Sequence, residues 1–290
     1  MGPQHDFGVS LGYSFAFADT TLETGFAVTG VPTTTHLWLL GVEYIPIDAL
    51  AVRLDLEMYA GVYSGPQRGP NPQVVYAHGS FDDGSLHFTP TDASLEVAYM
   101  VLEHPVAIAP FIRAILPTND YETSGYAAAG AGLMAAGFGV ELGVAHVGTP
   151  GTFATARYMF MLVEREDRGG EVTSSVSLNR SQAQLYAGYD FTDVTDVPLS
   201  VALGGSLWLT HGGVQLIDTT ATGTPLFTYH DVIRRQEYLT LGGSVGYVID
   251  DTISVNIGFE QLIWGNNVAE ASIIKAGVRW DGNVLDLLGE

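Results

Sequence analysis

The sequence has no cysteine, a single lysine and no long hydrophobic run. Without cysteine, disulfides and thiolate metal sites are excluded. Basic residues number 11 against 32 acidic ones, giving a formal charge of −21. Because phosphate binding needs clustered cations, nucleic acid is not an expected partner. No segment approaches the roughly 18 consecutive apolar residues of a membrane-spanning helix.

The chain is nevertheless apolar overall. Hydrophobic residues make up 47% of it, charged residues only 15%, and the mean hydropathy is +0.20. High apolar content without a long apolar run fits a β-sandwich core or a barrel that faces lipid. The choice between these two classes depends on the pattern within the strands.

The first predicted strand has one apolar face and one face of very small residues. Six apolar side chains occupy alternate positions, at Phe7, Val9, Leu11, Tyr13, Phe15 and Phe17, and only Gly, Ser and Ala lie between them. Alternation at period 2 is typical of a strand, and this pair of faces suits a wall between lipid and a lumen. Strands are predicted at 6–18, 35–45, 49–63, 93–103, 105–116, 136–147, 153–164, 181–191, 198–210, 237–249, 252–263 and 272–280.

The connections alternate in length, which favours the barrel over the sandwich. Short connections are predicted at 46–48, around His104, and at 148–152, 192–197 and 250–251. Mostly long ones are predicted at 19–34, 64–92, 117–135, 165–180, 211–236 and 264–271. We therefore expect an all-β, closed antiparallel transmembrane β-barrel of about 12 strands, with short periplasmic turns and long extracellular loops.

This fold predicts a bacterial outer-membrane location. The barrel is predicted over 1–280, followed by a periplasmic tail at 281–290. The first residues contain neither a basic n-region nor an apolar h-region, so we expect the signal peptide to have been removed or to be absent from this chain.

Strand parity places a set of charged residues in the lumen, since an Arg or Lys facing hydrocarbon costs about 2–4 kcal/mol at mid-depth. These residues are Arg53, Asp55, Glu57, Glu96, Arg113, Glu141, Arg157, Asp190, Glu260, Lys275 and Arg279. Two interpretations stay open: they line an aqueous path and select by charge, or they pair into a network that fills the lumen.

Aromatic residues near the predicted strand ends are interpreted as girdles at the two membrane interfaces. They are Phe7, Phe17, Trp38, Tyr44, Tyr63, Tyr189, Phe191, Tyr247, Trp264 and Trp280. Residues 126–136 are ambiguous: they could extend the sixth strand, form a short helix, or fold into the barrel mouth.

No catalytic motif or phosphate loop occurs. A hydrolase in a barrel would need an outward His beside an outward Ser, and the two candidate histidines, His36 and His146, have no evident Ser on a neighbouring strand. The chain is therefore predicted to have no enzymatic activity, cofactor or metal.

With these features the chain resembles bacterial outer-membrane β-barrel proteins over nearly its whole length. The segment 109–121, Ala-Pro-Phe-Ile-Arg-Ala-Ile-Leu-Pro-Thr-Asn-Asp-Tyr, is similar to a strand ending in Leu-Pro-Thr in transporter-like barrels of aromatic-compound uptake. A Gly often follows the Thr in those barrels, and Asn119 stands there in this chain. The resemblance implies a transport function and no catalytic residues.

The sequence thus predicts passive passage of a small solute through the outer membrane. The alternative is a non-conducting structural barrel that anchors a multiprotein envelope complex. The expected partners are outer-membrane lipid and lipopolysaccharide, together with periplasmic or envelope proteins.

Overall fold

The chain forms one closed antiparallel β-barrel of twelve strands, as predicted. A computed structural model describes residues 6–23, 26–65, 80–123, 127–130, 132–164, 178–213 and 235–283. The elements are β1 Asp6–Glu23, β2 Phe26–Ile47, β3 Leu50–Tyr63, β4 His87–Tyr99, β5 Ala107–Pro117, β6 Ala135–Ala145, β7 Thr152–Val163, β8 Arg180–Asp190, α1 Thr192–Thr195, β9 Leu199–Thr210, β10 Glu237–Val248, β11 Ile253–Asn266 and β12 Val268–Asn283.

Each strand pairs with its neighbours along the chain, and β1 pairs with β12 to close the cylinder. The register keeps like faces together. Leu11 lies opposite Leu40 on β2 and Val278 on β12, whereas Glu96 lies opposite Arg113 on β5. Because side chains alternate between faces, this register sorts apolar residues outward and charged residues inward.

The outer wall is apolar and exposed. Leu203 exposes 74% of its surface, and Ile112 and Leu185 each expose 62%. Many other large apolar side chains are exposed by more than a third. Together they form a larger apolar surface than a water-soluble monomer presents. No helix in the described residues is long and apolar enough to cross a membrane.

Two connections predicted to be long are tight hairpins. The predicted loop 19–34 is largely strand, because β1 continues to Glu23 and β2 begins at Phe26. The predicted loop 264–271 reduces to Asn267 between β11 and β12, with a φ of 55°. Both hairpins lie at the same end of the barrel as the remaining long connections, which we call the loop end; the opposite end is the turn end. Parts of the other predicted loops, 66–79, 165–177 and 214–234, lie outside the described residues.

Two strand boundaries also differ from the prediction. β4 covers His87–Tyr99 and not 93–103, since Met100, Val101 and Leu102 belong to the turn before β5. β12 continues to Asn283, so the first three residues of the predicted tail pair with β1. The rest of that tail, 284–290, lies outside the described residues.

Candidate functional site

A ladder of charged side chains crosses the inner wall from β3 to β7. Arg53 Nε donates to Asp55 at 2.8 Å, and Asp55 lies 3.6 Å from Arg113. Arg113 also lies 3.6 Å from Glu96 and donates to Ser94 Oγ at 2.7 Å. Acidic and basic groups therefore alternate along the ladder, which keeps the buried carboxylates compensated.

Arg157 on β7 ends this ladder and is held from three sides. Its guanidinium forms ion pairs with Glu141 on β6 and Glu96 on β4, and it lies 4.0 Å above the ring of Phe111. The Phe111 ring packs against Gly139, where an added Cβ would lie 2.4 Å from a ring carbon. Since β4 and β7 are not neighbours, the contact with Glu96 crosses the lumen side of the barrel.

The other predicted lumen charges form separate groups. On β11 and β12, Lys275 Nζ donates to Glu260 at 2.6 Å, and Tyr186 on β8 donates to the same oxygen at 3.3 Å. Arg279 pairs with Glu43 and Asp281, each at 2.7 Å, near the turn end.

Two predicted lumen residues lie outside these ion pairs. Asp190 ends β8, and its carboxylate accepts the N–H of Thr192, the first residue of α1, at 2.9 Å. Glu57 lines a cavity at the loop end. The ladder and the two smaller groups thus account for nine of the eleven predicted lumen charges.

Of the ambiguous segment 126–136, the described residues 127–130 and 132–134 fold over the barrel mouth without forming a helix, and β6 begins at Ala135. We call residues 127–130 and 132–134 the inner loop. Ala127 is fully buried: its carbonyl accepts the Tyr59 hydroxyl of β3 at 2.9 Å, and its N–H donates to Asp82 at 2.8 Å. The inner loop is therefore attached to the β3 side of the lumen.

A tyrosine before the inner loop fastens its other side. The Tyr121 hydroxyl donates to Asp92 of β4 at 2.5 Å and accepts the Gly132 N–H at 3.1 Å. Burial and the neighbouring Asp92 carboxylate raise the pKa of Tyr121, so the phenol stays protonated and keeps donating. Thr118, which ends the Leu-Pro-Thr segment, donates to the Thr91 carbonyl at 2.7 Å.

Beneath the inner loop lies a cavity of about 550 Å³, which we call the loop-side cavity. One part of its wall is apolar and the rest polar. The apolar part is formed by Ile115, Leu133, Met159, Met161, Leu178 and Trp208, and the polar part by Glu57, Asp92, Arg113, Thr123, Arg157, Arg180, Gln182, Gln184, Thr210 and Gln236. Its size falls in the range of small-molecule sites, about 300–1,000 Å³.

A second cavity of about 360 Å³, the turn-side cavity, lies nearer the turn end between β5, β6, β7 and β8. Arg157 and Gln184 line both cavities. These two side chains therefore form the partition between the two spaces.

Arg180, at the start of β8, lines the loop-side cavity and was not among the lumen charges predicted from the sequence. Its guanidinium lies 5.4 Å from the Trp208 ring, and its Nε atom is buried without a hydrogen-bond partner. Within the described part of the chain it forms no ion pair. The signal was present in the sequence, because Arg180 has the same parity as Gln182 and Gln184.

Seven of the ten predicted girdle residues lie on the outward parity of their strands, Phe191 lies just outside β8, and Trp264 follows a register shift between β10 and β11. Phe7 meets Trp280 edge-on at 6.4 Å, and Trp264 is 48% exposed. Tyr63 is a wrong prediction, since it is fully buried and shares the inward parity of Tyr59 on the same strand. Their proposed role as membrane-interface girdles stays a prediction.

A Ser–His pair occurs on the outer wall, although not at His36 or His146. Ser181 Oγ lies 2.6 Å from His211 Nε2 and 3.1 Å from the Tyr158 hydroxyl. Among the described residues no hydrogen bond is made to His211 Nδ1, the position at which a third group would orient a catalytic base. The Ser181, His211 and Tyr158 side chains thus hydrogen-bond to one another on an otherwise apolar wall.

The two histidines singled out from the sequence contact other groups. His36 accepts or donates a hydrogen bond with the Tyr13 hydroxyl at 2.8 Å, and His146 accepts the Gly151 N–H at 3.3 Å. No cluster of three metal-binding side chains occurs in the part of the chain that the structure describes.

Comparison with known proteins gives the same fold. Neither protein-family models nor curated proteins match the chain. Among solved structures, an outer-membrane channel from Pseudomonas putida F1 is similar over 97% of both chains at 14% identity, with a TM-score of 0.68. The β domain of the Bordetella autotransporter BrkA is similar over 95% of this chain and 99% of its own, at 12% identity and a TM-score of 0.56. The chain has the fold of a bacterial outer-membrane β-barrel.

Proposed function

We propose that the protein is a passive outer-membrane channel for small solutes and has no enzymatic activity. The observation that carries this proposal is the pair of cavities stacked inside a closed barrel, with Arg157 and Gln184 between them. A solute entering beneath the inner loop would occupy the loop-side cavity first. It would then pass Arg157 to reach the turn-side cavity.

The wall and the lumen support an outer-membrane location. The exposed apolar exterior suits contact with lipid, and closure leaves no unpaired strand edge in hydrocarbon. We place the turn end in the periplasm and the loop end outside, where lipopolysaccharide would surround it.

Arg157 is the residue that sets the width and charge of the passage. Its ion pairs with Glu96 and Glu141 hold the guanidinium at the partition, so a solute must pass beside a fixed positive charge. Removing the Arg157 guanidinium would leave those two carboxylates at the partition and shift the ion preference of the passage toward cations.

Planar-bilayer recording tests the channel. The wild-type barrel should give discrete conductance steps, and Arg157→Ala should give larger steps with a weaker preference for anions. Arg279→Ala is the matched control, because Arg279 is paired near the turn end and lines neither cavity.

Unchanged step size and ion preference in Arg157→Ala would contradict the role of Arg157. Absence of any conductance from correctly folded barrel would contradict the channel itself. If periplasmic proteins also remained bound through purification, the barrel would be an anchor for an envelope complex.

A further inference from the structure

We infer that the loop-side cavity is a binding site for a small organic anion with an apolar body, of the monocarboxylate class. This inference rests on the proposed function and names the class of solute that the channel would take. Two observations support it: an arginine that forms no ion pair among the described residues, and an adjacent apolar wall.

Arg180 is the anchor for the anionic head. A buried guanidinium that forms no ion pair among the described residues is unfavourably placed, so an anion from solution would complete the arrangement. The nearby carboxylate of Asp92 accepts the Tyr121 hydroxyl and lies beyond ion-pair distance of Arg180 among the described contacts. The Nε atom of Arg113, which lines the same cavity, is likewise buried without a partner.

The apolar body of the anion would lie against the Met159 and Met161 side chains and the Trp208 indole. Met159 and Met161 are almost completely buried, and Trp208 packs against them from β9. Trp208 is in turn stacked on Tyr238 at 5.9 Å, with an interplanar angle of 8°, so the indole is fixed in place. Methionine adapts to irregular apolar shapes, which suits an aliphatic or an aromatic body.

The preference of the cavity for an anion depends on Arg180, because Arg113 and Arg157 already pair with carboxylates beside the cavity. Arg113, Arg157 and Arg180 line it against Glu57 and Asp92. An inorganic anion would use the guanidinium groups but leave the apolar wall uncovered. A neutral solute would leave Arg180 without a counter-ion.

The test compares three probes with the same six-carbon chain: hexanoate, hexanamide and hexylammonium. Binding is measured at pH 7 by equilibrium dialysis against the barrel in nanodiscs, and empty nanodiscs correct for partitioning into lipid. We expect hexanoate to bind at least tenfold more tightly than either other probe, which is the range of one hydrogen-bonded charge.

Variants locate the site. Arg180→Gln should weaken hexanoate at least tenfold and leave hexanamide unchanged, while Arg180→Lys should keep part of the preference. Trp208→Leu retains the charge and should weaken both probes alike. Arg279→Gln serves as the control and should bind hexanoate as the wild type does. Folding of each variant is checked by its β-sheet circular dichroism, and Trp208→Leu keeps the test informative if Arg180→Gln does not fold.

Equal binding of the three probes, a preference for hexylammonium, or unaltered hexanoate binding in folded Arg180→Gln would overturn the inference. So would chloride that competes fully with hexanoate at equal concentration, because the site would then take a simple anion. Binding does not require conduction. A barrel that binds hexanoate but is silent in bilayers refutes the channel alone, whereas a conducting barrel without hexanoate preference refutes the site alone.

Discussion

Replacing Arg157 with methionine should destabilise the barrel far more than removing an arginine from its exposed rim. Methionine preserves much of the length that covers Phe111 and removes the charge. The change leaves Glu96, which is buried, with only Arg113 at 3.6 Å as a nearby cation. The Glu141 side chain is 44% exposed, so its carboxylate would be solvated by water after the change.

The expected size follows from these environments. A hydrogen bond to a charged group contributes about 1.5–3 kcal/mol when water is largely excluded. An exposed pair such as that with Glu141 contributes about 0–1 kcal/mol. The sum is about 1.5–4 kcal/mol, toward the lower end because Arg113 still compensates Glu96 in part.

The measurement is reversible urea unfolding of the barrel in lipid, followed by tryptophan fluorescence. Arg235→Met is the matched control, since Arg235 is 45% exposed and pairs with Glu237 at the barrel rim. It should lose no more than about 1 kcal/mol. A double-mutant cycle with Glu96→Gln should return a coupling of about 1–3 kcal/mol.

Equal losses for Arg157→Met and Arg235→Met, or a coupling near zero, would refute the reasoning. Arg157 would then be a water-screened side chain in a wide lumen. It would not be a fixed element of the partition.

Three further predictions follow from other parts of the barrel. Asp250 accepts three hydrogen bonds in the turn before β11, and these hold its pKa below the ordinary 3.8. Its contribution to stability is therefore complete at pH 7 and is lost as pH falls through the lowered pKa, so Asp250→Ala should lower the urea midpoint at pH 7, and the difference from the wild type should shrink as the pH falls below 3.8. Tyr59→Phe leaves the buried Ala127 carbonyl without its donor, which costs about 1–3 kcal/mol locally; amide hydrogen exchange in the inner loop should accelerate, and unchanged exchange would show that other contacts hold it. Purified barrel should hydrolyse no phospholipid and should not react with a fluorophosphonate; turnover abolished by Ser181→Ala would instead reveal a hydrolase.

Apolar alternation predicted the strands and their inward and outward faces where one face of the strand is turned toward lipid. On β3 the alternation that places Leu54 and Leu56 outward also places Arg53, Asp55 and Glu57 inward. The same parity, followed one step further, would have removed Tyr63 from the girdle list.

Where a strand extends beyond the membrane, apolar alternation no longer identifies it in the sequence. The threonine-rich ends of β1 and β2 continue as strand past the predicted loop boundary, with Thr20 opposite Thr29. No apolar alternation marks this stretch of the sequence, so the predicted strands end short of it. Conversely, the exposed apolar residues Met100, Val101 and Leu102 extend a strand-like pattern into a turn.

Contacts across the lumen could not be read from local pattern. The pair between Arg157 and Glu96 joins positions 61 residues apart on strands that are not neighbours. The isolation of Arg180 depends on where every nearby carboxylate finds its partner. Parity predicts which side chains point inward, but it does not predict which of them meet.

Barrel closure has a consequence for biogenesis. The seam joins Asp6 to Asn283, so its two strands are the most widely separated in the polypeptide. Such a pairing carries a large loop-closure entropy and forms slowly without assistance. Any shorter nascent fragment would have two edge strands with unpaired backbone N–H and C=O groups, which are unfavourable in hydrocarbon. Deleting β12 should therefore abolish insertion altogether, and an eleven-stranded product that still resisted extraction from the membrane would mean that β11 can take over the seam.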